Sequence, residues 1–582
     1  MKKLYLMLSM LFAFGAAANA VPAKKLQKVI TLTNGTQVSV ELRGDEYLSW
    51  WEGTDGTAYR ATADDTVFEA FDLEAQKPAA AARRARAEQG RVARLARVKN
   101  SLKGADDKMR GLGGDHITYK GVKKGLVVLV DFKNKKFADG HDLEYYKNVI
   151  NGKDFSDEEE GYVGSVRDYF LAQSNGQFEL DFDVVGPVTM SKNYGYYGND
   201  GAYQKDEKVY EMIKEACDGI KDKVNLKDYD WDGDGEADQV FFLYAGLGQA
   251  SGGSAGTIWP HESELRYWPC GVLSYSTGKI NTYACANELQ PETQGSSRYI
   301  SAGIGTICHE FSHCLGFADM YDTTGGGGYG MSVFDVMDQG SYNGNGFVPC
   351  NYTAFERIYA GWVEPIELID PATVKDMKSV SDYGRPFIMY NYKNTNEYFL
   401  MENRQNTGWD EGLYGSNGLL IVHVNYVPSR WANNSVNSSA EKIQCCTVVN
   451  ADGSRDNTQY SLQGDLYPYE VKGVTMNDEF TDESEPAAKL YTKNSDNSYA
   501  LGIPITNIKR SKGSVSFLVC GGDANNVIDN TFNGVVDGIN GVTVANKAAD
   551  NRIYSIDGRY LGTDASALGK GIYVVGGKKI VK

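Results

Sequence analysis

Two histidines, a glutamate and an aspartate that could act together lie within one short stretch, residues 309–319, with the pattern HExxHxxGxxD. His309 and His313, four positions apart, fall on the same face of a helix, so both rings can reach one metal ion. Glu310 can then reach a water on that metal, and Gly316 can end the helix in a left-handed conformation. After the chain reverses, Asp319 can supply a third ligand. Three protein ligands with a fourth position open predict a catalytic zinc site rather than a closed structural one.

The main alternative to Asp319 as third ligand is a glutamate further downstream, as thermolysin-like enzymes use. No glutamate occurs between Glu310 and Glu356, which weakens this alternative. Cys308 and Cys314 flank the motif, but their spacing directs them to different faces of a helix, so packing is the favoured role for them. The chain has only six histidines in 582 residues, so a chance HExxH on a surface helix would be rare.

A methionine follows the motif within Ser332–Tyr342, a segment rich in turn-forming residues. Methionine in a tight turn after an extended zinc-binding motif is typical of the Met-turn of metzincin peptidases. We therefore expect Met337 to form an apolar floor under the metal, the alternative being an ordinary buried methionine. Tyr342 is a candidate for stabilising the oxyanion that forms during hydrolysis.

The sequence resembles the immune inhibitor A-type metallopeptidases, the sixth metallopeptidase family, over roughly residues 120–430. The resemblance implies a secreted, zinc-dependent endopeptidase that acts on proteins or peptides, with aspartate as the third ligand. It also implies an α/β metzincin-like domain, in which a mixed sheet supports the active-site helix. Besides 309–319, the residues that carry it are Gly125–Phe132, Val166–Phe170, Ser174–Gly176, Asp230–Gly246, Ile258–His261 and Glu402–Arg404.

A second candidate metal site is the acidic stretch DWDGDGEAD, residues 230–238. Oxygen ligands at positions 1, 3, 5 and 9, with glycine at position 6, suit a calcium loop in which position 7 contributes its backbone carbonyl. Position 12 is a phenylalanine, so the bidentate glutamate of a full EF-hand is missing, and we expect a truncated loop that braces the following strand. The alternative is a solvated acidic turn. The candidate residues are Asp230, Asp232, Asp234, Glu236 and Asp238.

Composition limits the other functions. A net charge of −17 argues against nucleic acid as a partner, and it suits a soluble exported protein. No carboxylate pair stands out to support a glycan-directed enzyme. A non-catalytic cell-surface adhesin built on a peptidase-like domain remains an alternative, although the intact Glu310 argues against it. We expect a monomer without a transmembrane segment.

The chain is too long for one domain, and its composition changes along its length. Lys2 and Lys3, an apolar run and Ala18-Asn19-Ala20 predict a signal peptide, and hence a secreted or cell-surface protein. The Ala- and Arg-rich stretch 79–102 predicts a basic helix in a prosegment, which would make the protein a zymogen. We expect a signal peptide at 1–20, a prosegment at 21–116, the catalytic domain at 117–365, a β-sandwich at 366–520, a linker at 521–550 and a small β domain at 551–582.

The C-terminal segment, residues 551–582, resembles the sorting domains of type IX secretion in Bacteroidetes. Short strands separated by Asp-Gly and Gly-Gly turns carry this resemblance, which implies the type IX secretion machinery as a partner. The alternative is a generic terminal β domain.

Two smaller predictions concern residues outside the main motifs. Cys270 and Cys285 bracket a loop-rich stretch and are the best candidates for a disulfide among the nine cysteines. His261 could line the substrate cleft, but a structural role for it is favoured. We expect the zinc-binding helix to cover about 300–315.

Overall fold

The computed structural model of the chain describes residues 18–19, 21–62, 66–101, 119–200, 205–293, 296–324, 328–413, 417–438, 443–455, 461–532 and 534, with four short strands between 553 and 581. For 18–19, 86–90, 93–101 and 553–581 it describes the backbone alone. The chain divides into two compact units. The first comprises residues 1–96, 127–138 and 185–298, and the second comprises residues 97–126, 139–184 and 299–582.

A small closed barrel of five strands opens the first unit. Ile30, Val40, Tyr59 and Phe68 fill its interior, and its first and last strands pair in parallel, which removes free sheet edges. The helix Leu73–Ser101 follows the barrel. The barrel strands are Gln27–Leu32, Gln37–Gly44, Ser49–Gly53, Ala58–Ala61 and Val67–Ala70.

A mixed sheet forms the rest of the first unit. Val240–Leu247 runs parallel to Thr282–Pro291, and His261–Glu264 pairs antiparallel with the other edge of that strand. Val240–Leu247 is almost entirely buried and apolar, as expected for a central strand covered on both faces. The other elements of this unit are the strands Ala18–Asn19, Glu236–Ala237, Leu273–Tyr275 and Gly278–Ile280, and the helices Tyr194–Tyr197 and Val209–Ile220. The strands Gly121–Asp131 and Phe178–Thr189 each begin in the second unit and end in the first.

Short helices in the second unit surround the predicted zinc motif. Val166–Gln173 begins with a capping box, in which Ser165 and Asp168 satisfy each other's backbone N–H groups. Phe170 of this helix packs against Phe311 of the helix Gly305–Ser312, with ring centroids 5.6 Å apart. The remaining α-helices of the unit are Leu143–Asn151, Ala354–Tyr359 and Pro428–Ala432, and Tyr299–Ser301 is a short strand.

The downstream part of the second unit consists of two sheets that share one apolar core, to which Val374, Phe387, Phe399 and Phe517 belong. One sheet has five strands: Ile366–Glu367, Phe387–Tyr390, Glu397–Arg404, Gly418–Asn425 and Cys446–Val448. The other has four strands: Ala372–Met377, Ile505–Ser511, Ser514–Val519 and Val527–Ile528. Tyr469–Val471 and Val474–Asn477 form a separate hairpin. Near the C-terminus, Ile553–Ser555, Tyr560–Gly562, Ile572–Val575 and Lys578–Val581 form an antiparallel sheet.

The chain is thus a mixed α/β protein with several sheets and few helices. Single turns of 3-10 helix connect many elements: Leu226–Tyr229, Gln249–Ser251, Leu265–Tyr267, His313–Leu315, Ser332–Phe334, Val380–Asp382, Gly408–Asp410 and Ser461–Gly464. The segment Gln339–Gly346 contains 3-10 turns separated by a kink at Asn343 to Asn345. Within the described residues, no helix combines the length and apolar character needed to cross a bilayer.

The predicted disulfide is wrong. All nine cysteines lie among the described residues and all are free thiols. Cys285 lies inside the strand Thr282–Pro291, with its Sγ 3.6 Å from Nδ1 of His261. Cys270 follows a 3-10 turn and is only half-buried. A loop-rich sequence between two cysteines therefore did not indicate that their side chains meet.

Candidate metal centre and active site

The helix that carries the HExxH motif begins at Gly305, where another segment of the chain approaches its backbone closely. A Cβ at Gly305 would lie 1.8 Å from the carbonyl oxygen of Ser341, which no side chain could tolerate. The N–H of Ile304 donates to the carbonyl of Gly346 at 2.9 Å. The segment Gln339–Gly346 is therefore fixed against the start of the helix. Every residue of Gly305–Ser312 is buried.

The end of this helix matches the prediction made for Gly316. The α-helix stops at Ser312, earlier than expected, and one 3-10 turn, His313–Leu315, continues it. Gly316 has φ +86° and donates its N–H to the carbonyl of His313, so it ends the turn in the left-handed conformation that glycine adopts without strain. The reversal leads the chain back to Asp319.

Each motif histidine is held in place by a hydrogen bond from one of its two ring nitrogens. Nδ1 of His309 lies 2.8 Å from the carbonyl oxygen of Val336, and Nδ1 of His313 lies 2.9 Å from that of Phe317. A carbonyl only accepts hydrogen bonds, so Nδ1 carries the proton in each ring and Nε2 retains its lone pair. This is the arrangement of metal-binding histidines, in which the bonded nitrogen fixes the tautomer and the other coordinates.

Asp319 completes the set. Its Oδ1 lies 3.1 Å from Nε2 of His309 and 3.5 Å from Nε2 of His313, and all three side chains are buried. Ligands at zinc-like bond lengths in tetrahedral geometry stand about 3.3 Å apart. Among the described residues, Nε2 of His309 and Oδ1 of Asp319 make no hydrogen bond, which is rare for buried polar atoms and fits a role as metal ligands. Two imidazoles and one carboxylate fit zinc.

Glu310 and Tyr342 lie close to this set. Ligand atoms of His309, Glu310 and His313 all fall within 4.8 Å of one another. Burial raises the pKa of Tyr342 well above its usual value, and the nearby Glu310 raises it further. Tyr342 therefore keeps its proton and can donate a hydrogen bond. Gly344, two positions after Tyr342 in the sequence, lines a cavity of about 390 Å³.

The turn that contains Met337 is tied to the metal site through its backbone. The carbonyl of Val336 holds His309, and the carbonyl of Met337 accepts from the N–H of Met320, one residue after Asp319. Met337 itself is fully buried, and its N–H donates to Asp335 at 2.8 Å. The turn around Met337 thus positions one histidine and the chain that follows the aspartate.

A buried ionic cluster beneath this turn was not predicted as part of the site. Arg404 bonds to Asp410 at 2.6 Å, to Glu402 at 3.0 Å and to the carbonyl of Phe334 at 3.0 Å. Burial raises the pKa of Asp335 and also that of Glu356, to about 7, and the two carboxyls are neighbours. In the sequence, this cluster could have been recognised locally only from the two-residue spacing of Glu402 and Arg404, which places both side chains on the same face of a strand.

Asn434 also contacts the site and was not predicted. Its Oδ1 accepts from the N–H of Asp319 at 2.6 Å, and its Nδ2 donates to Oδ2 of the same residue. The two residues are 115 positions apart, and no spacing rule links them.

The acidic loop lies in the first unit. Asp230, Asp232 and Asp238 bring carboxylate oxygens within 4.8 Å of one another, and all three are half-buried. Burial and, after it, the neighbouring aspartates raise the pKa of Asp238 to about 8, so a bound cation would relieve the repulsion. Asp234 and Glu236 do not join this group: Asp234 accepts from the N–H of Glu236 at 2.8 Å, and Glu236 pairs with Arg266 at 2.9 Å.

His261 differs from the motif histidines because both its nitrogens are engaged. Nδ1 lies 2.7 Å from the carbonyl of Trp259, and Nε2 lies 2.9 Å from the hydroxyl of Tyr283. Burial lowers its pKa from 6.5 to about 4, so the ring is neutral at physiological pH. These contacts agree with a structural role.

Comparison with known proteins gives the same assignment for the central part of the chain. Residues 120–363 match the family described as immune inhibitor A peptidase M6, catalytic domain. The Pre-pro-metalloprotease PrtV of Vibrio cholerae is 29% identical over 269 residues, which cover 39% of this chain and 28% of that protein. Immune inhibitor A of Bacillus thuringiensis subsp. alesti is 27% identical over 319 residues, covering 45% of each protein.

The chain therefore spans less than half of the length of either relative. The family match includes both motif histidines, Glu310 and Asp319, whereas Arg404 and Asn434 lie beyond it. Residues 120–363 of this chain are similar to the catalytic domain of the immune inhibitor A peptidase M6 family.

Proposed function

We propose that this protein is a zinc-dependent endopeptidase that hydrolyses peptide bonds in protein substrates, with a metzincin-like catalytic domain. The observation that carries the proposal is the convergence of His309, His313 and Asp319. Oδ1 of Asp319 lies 3.1 Å from Nε2 of His309 and 3.5 Å from Nε2 of His313, and Glu310 lies beside them. His309, His313 and Asp319 would hold the zinc.

Zinc bound there would polarise the scissile carbonyl and lower the pKa of a water toward neutrality. Glu310 accepts the proton of the attacking water and later delivers it to the leaving amine. Tyr342, which burial keeps protonated, donates a hydrogen bond to the carbonyl oxygen as negative charge develops on it. Met337 contributes a dry, apolar surface beneath the ligands.

The direct test is a casein or gelatin assay of the purified protein and of Glu310→Gln, which keeps the shape of the side chain and removes the base. We expect activity that a zinc chelator abolishes, and a loss of roughly 10²–10⁴-fold in the variant, the usual contribution of general acid–base catalysis. If the two proteins behave alike and neither shows chelator-sensitive activity, the adhesin alternative replaces the peptidase.

We further propose that the protein is exported by the signal peptide at 1–20 and held latent by the segment 21–116. The separately closed barrel and the arginine-rich helix Leu73–Ser101 support a removable prosegment. Sequencing the N-terminus of the secreted mature form would locate the cleavage. Full activity of the chain with residues 21–116 still attached would contradict latency.

The remaining expectations stand as parts of the same proposal: calcium at the acidic loop, residues 230–238, a monomeric enzyme, and export through a type IX pathway directed by residues 551–582. The grouping of the three aspartates supports the calcium site. The four-stranded terminal sheet supports a separate β domain at the C-terminus.

A further inference from the structure

The side-chain amide of Asn434 makes two hydrogen bonds to Asp319, one to its backbone and one to its carboxylate. Oδ1 of Asn434 accepts from the backbone N–H of Asp319 at 2.6 Å, while Nδ2 of Asn434 donates to Oδ2 of its carboxylate. Because Oδ2 is fixed in this way, Oδ1 is the oxygen that faces Nε2 of His309 and of His313. Asn434 therefore selects the carboxylate oxygen that is offered as a ligand.

The identity of residue 434 follows from this double contact. An amide offers a donor and an acceptor on two separate atoms of one short side chain, so it can bond to the backbone N–H and to the carboxylate of Asp319 at once. The backbone at Asn434 has φ +52°, a left-handed conformation that asparagine tolerates better than most residues. The position comes directly after the helix Pro428–Ala432 and its cap, so the helix end sets where the amide lies.

The residues around Asn434 hold the backbone after Asp319 without touching the carboxylate. Ser438 Oγ accepts from the N–H of Thr323 at 3.1 Å, and Nδ2 of Asn437 donates to the carbonyl of Met320 at 2.6 Å. Asn434 is the member of this segment whose side chain reaches the carboxylate of Asp319. The chain therefore contains matched positions that hold the same loop with and without contact to the ligand.

We propose that Asn434 is a positioning residue of the metal centre, which orients Asp319 for coordination and raises the affinity of the site for zinc. The inference rests on the proposed function. It goes beyond that function because Asn434 lies outside the matched catalytic domain, residues 120–363. The downstream β domain thereby contributes to the active site, and is more than an appended module.

The test compares zinc affinity in full-length chains carrying Asn434→Gly, Asn434→Asp or Ser438→Ala, by competition with a chromophoric chelator. Glycine removes the amide and keeps the left-handed backbone unstrained. Aspartate keeps the size and the acceptor but replaces the donor with a second carboxylate facing Oδ2 of Asp319. We expect both to bind zinc roughly 10–100-fold more weakly, the usual effect of losing a partner that orients a metal ligand.

Ser438→Ala is the matched control, since it loosens the same loop without touching Asp319, and we expect it to change zinc affinity less than threefold. The absorption spectrum of the cobalt-substituted protein should change in the two Asn434 variants and not in the control. Affinities of both Asn434 variants within twofold of the wild type would overturn the inference, as would an equal loss in Ser438→Ala. A wild-type chain that binds zinc no better than His309→Ala would overturn the proposed function as well.

Discussion

The histidine site and the acidic loop are both places where potential metal ligands gather, but they are built differently. At the histidine site the ligands are fully buried and are held from behind, by the carbonyls of Val336 and Phe317 and by Asn434. In the acidic loop the carboxylates are half-buried and hold their own turn. Asp230 alone accepts from the N–H groups of Gly233, Asp234 and Gly235.

The two regions differ in how much a bound metal ion would stabilise them. Buried polar atoms without partners cost about 1–3 kcal/mol each, so the histidine site is stabilised strongly when an ion satisfies them. The acidic loop already uses its oxygens to close the turn and retains contact with solvent, so it can form before any ion binds. We infer that the first region is built around its metal and that the second is only braced by one.

The largest expected difference is in activity. His309→Ala should lose zinc and lower the rate of protein hydrolysis by about a thousandfold or more, because the metal contributes several kcal/mol to the transition state. Asp230→Asn should leave both zinc content and hydrolysis close to wild type. Elemental analysis and a casein assay measure the two quantities. Retention of one zinc per chain in His309→Ala would refute the ligand assignment.

The next effect is on stability. Zinc at a thousandfold excess over its dissociation constant should raise the free energy of unfolding by about 4 kcal/mol. The shift should disappear in His313→Ala and persist in Asp230→Asn, as measured by thermal unfolding of metal-free protein with and without added zinc. An equal zinc response in both variants would show that binding occurs elsewhere.

A third histidine sharpens the contrast, since His261 bonds through both nitrogens and has no lone pair to offer. Burial lowers its pKa from 6.5 to about 4, so between these values the unfolded chain holds more protons than the folded one. Stability therefore falls as the pH drops from 6.5 toward 4, by about 3 kcal/mol from this group alone. In His261→Gln the free energy of unfolding, measured with urea across this pH range, should fall by about 3 kcal/mol less than in the wild type. Identical profiles would contradict a neutral buried ring.

Which site residues the sequence could predict depended on how far apart along the chain the interacting residues lie. His309, Glu310, His313 and Gly316 follow from helical spacing within one segment, and the left-handed glycine was confirmed. Asn434 lies 115 positions beyond Asp319, so no period links the two residues. The predicted bridge between Cys270 and Cys285 failed for a different reason: the two residues are close in sequence, but no helical period fixes which way their side chains point.

The smallest expected effect comes from the acidic loop. Calcium at tenfold excess over its dissociation constant should stabilise the protein by only about 1.4 kcal/mol. The ion would replace the mutual repulsion of Asp230, Asp232 and Asp238 with attraction, while the turn itself is already closed by backbone donors. Asp232→Asn removes one carboxylate, which accepts from the N–H of Asp234, and it should abolish the calcium shift while leaving the zinc shift intact. Calcium titration followed by thermal unfolding measures this effect. A calcium shift that persists in Asp232→Asn would mean that the ion binds elsewhere.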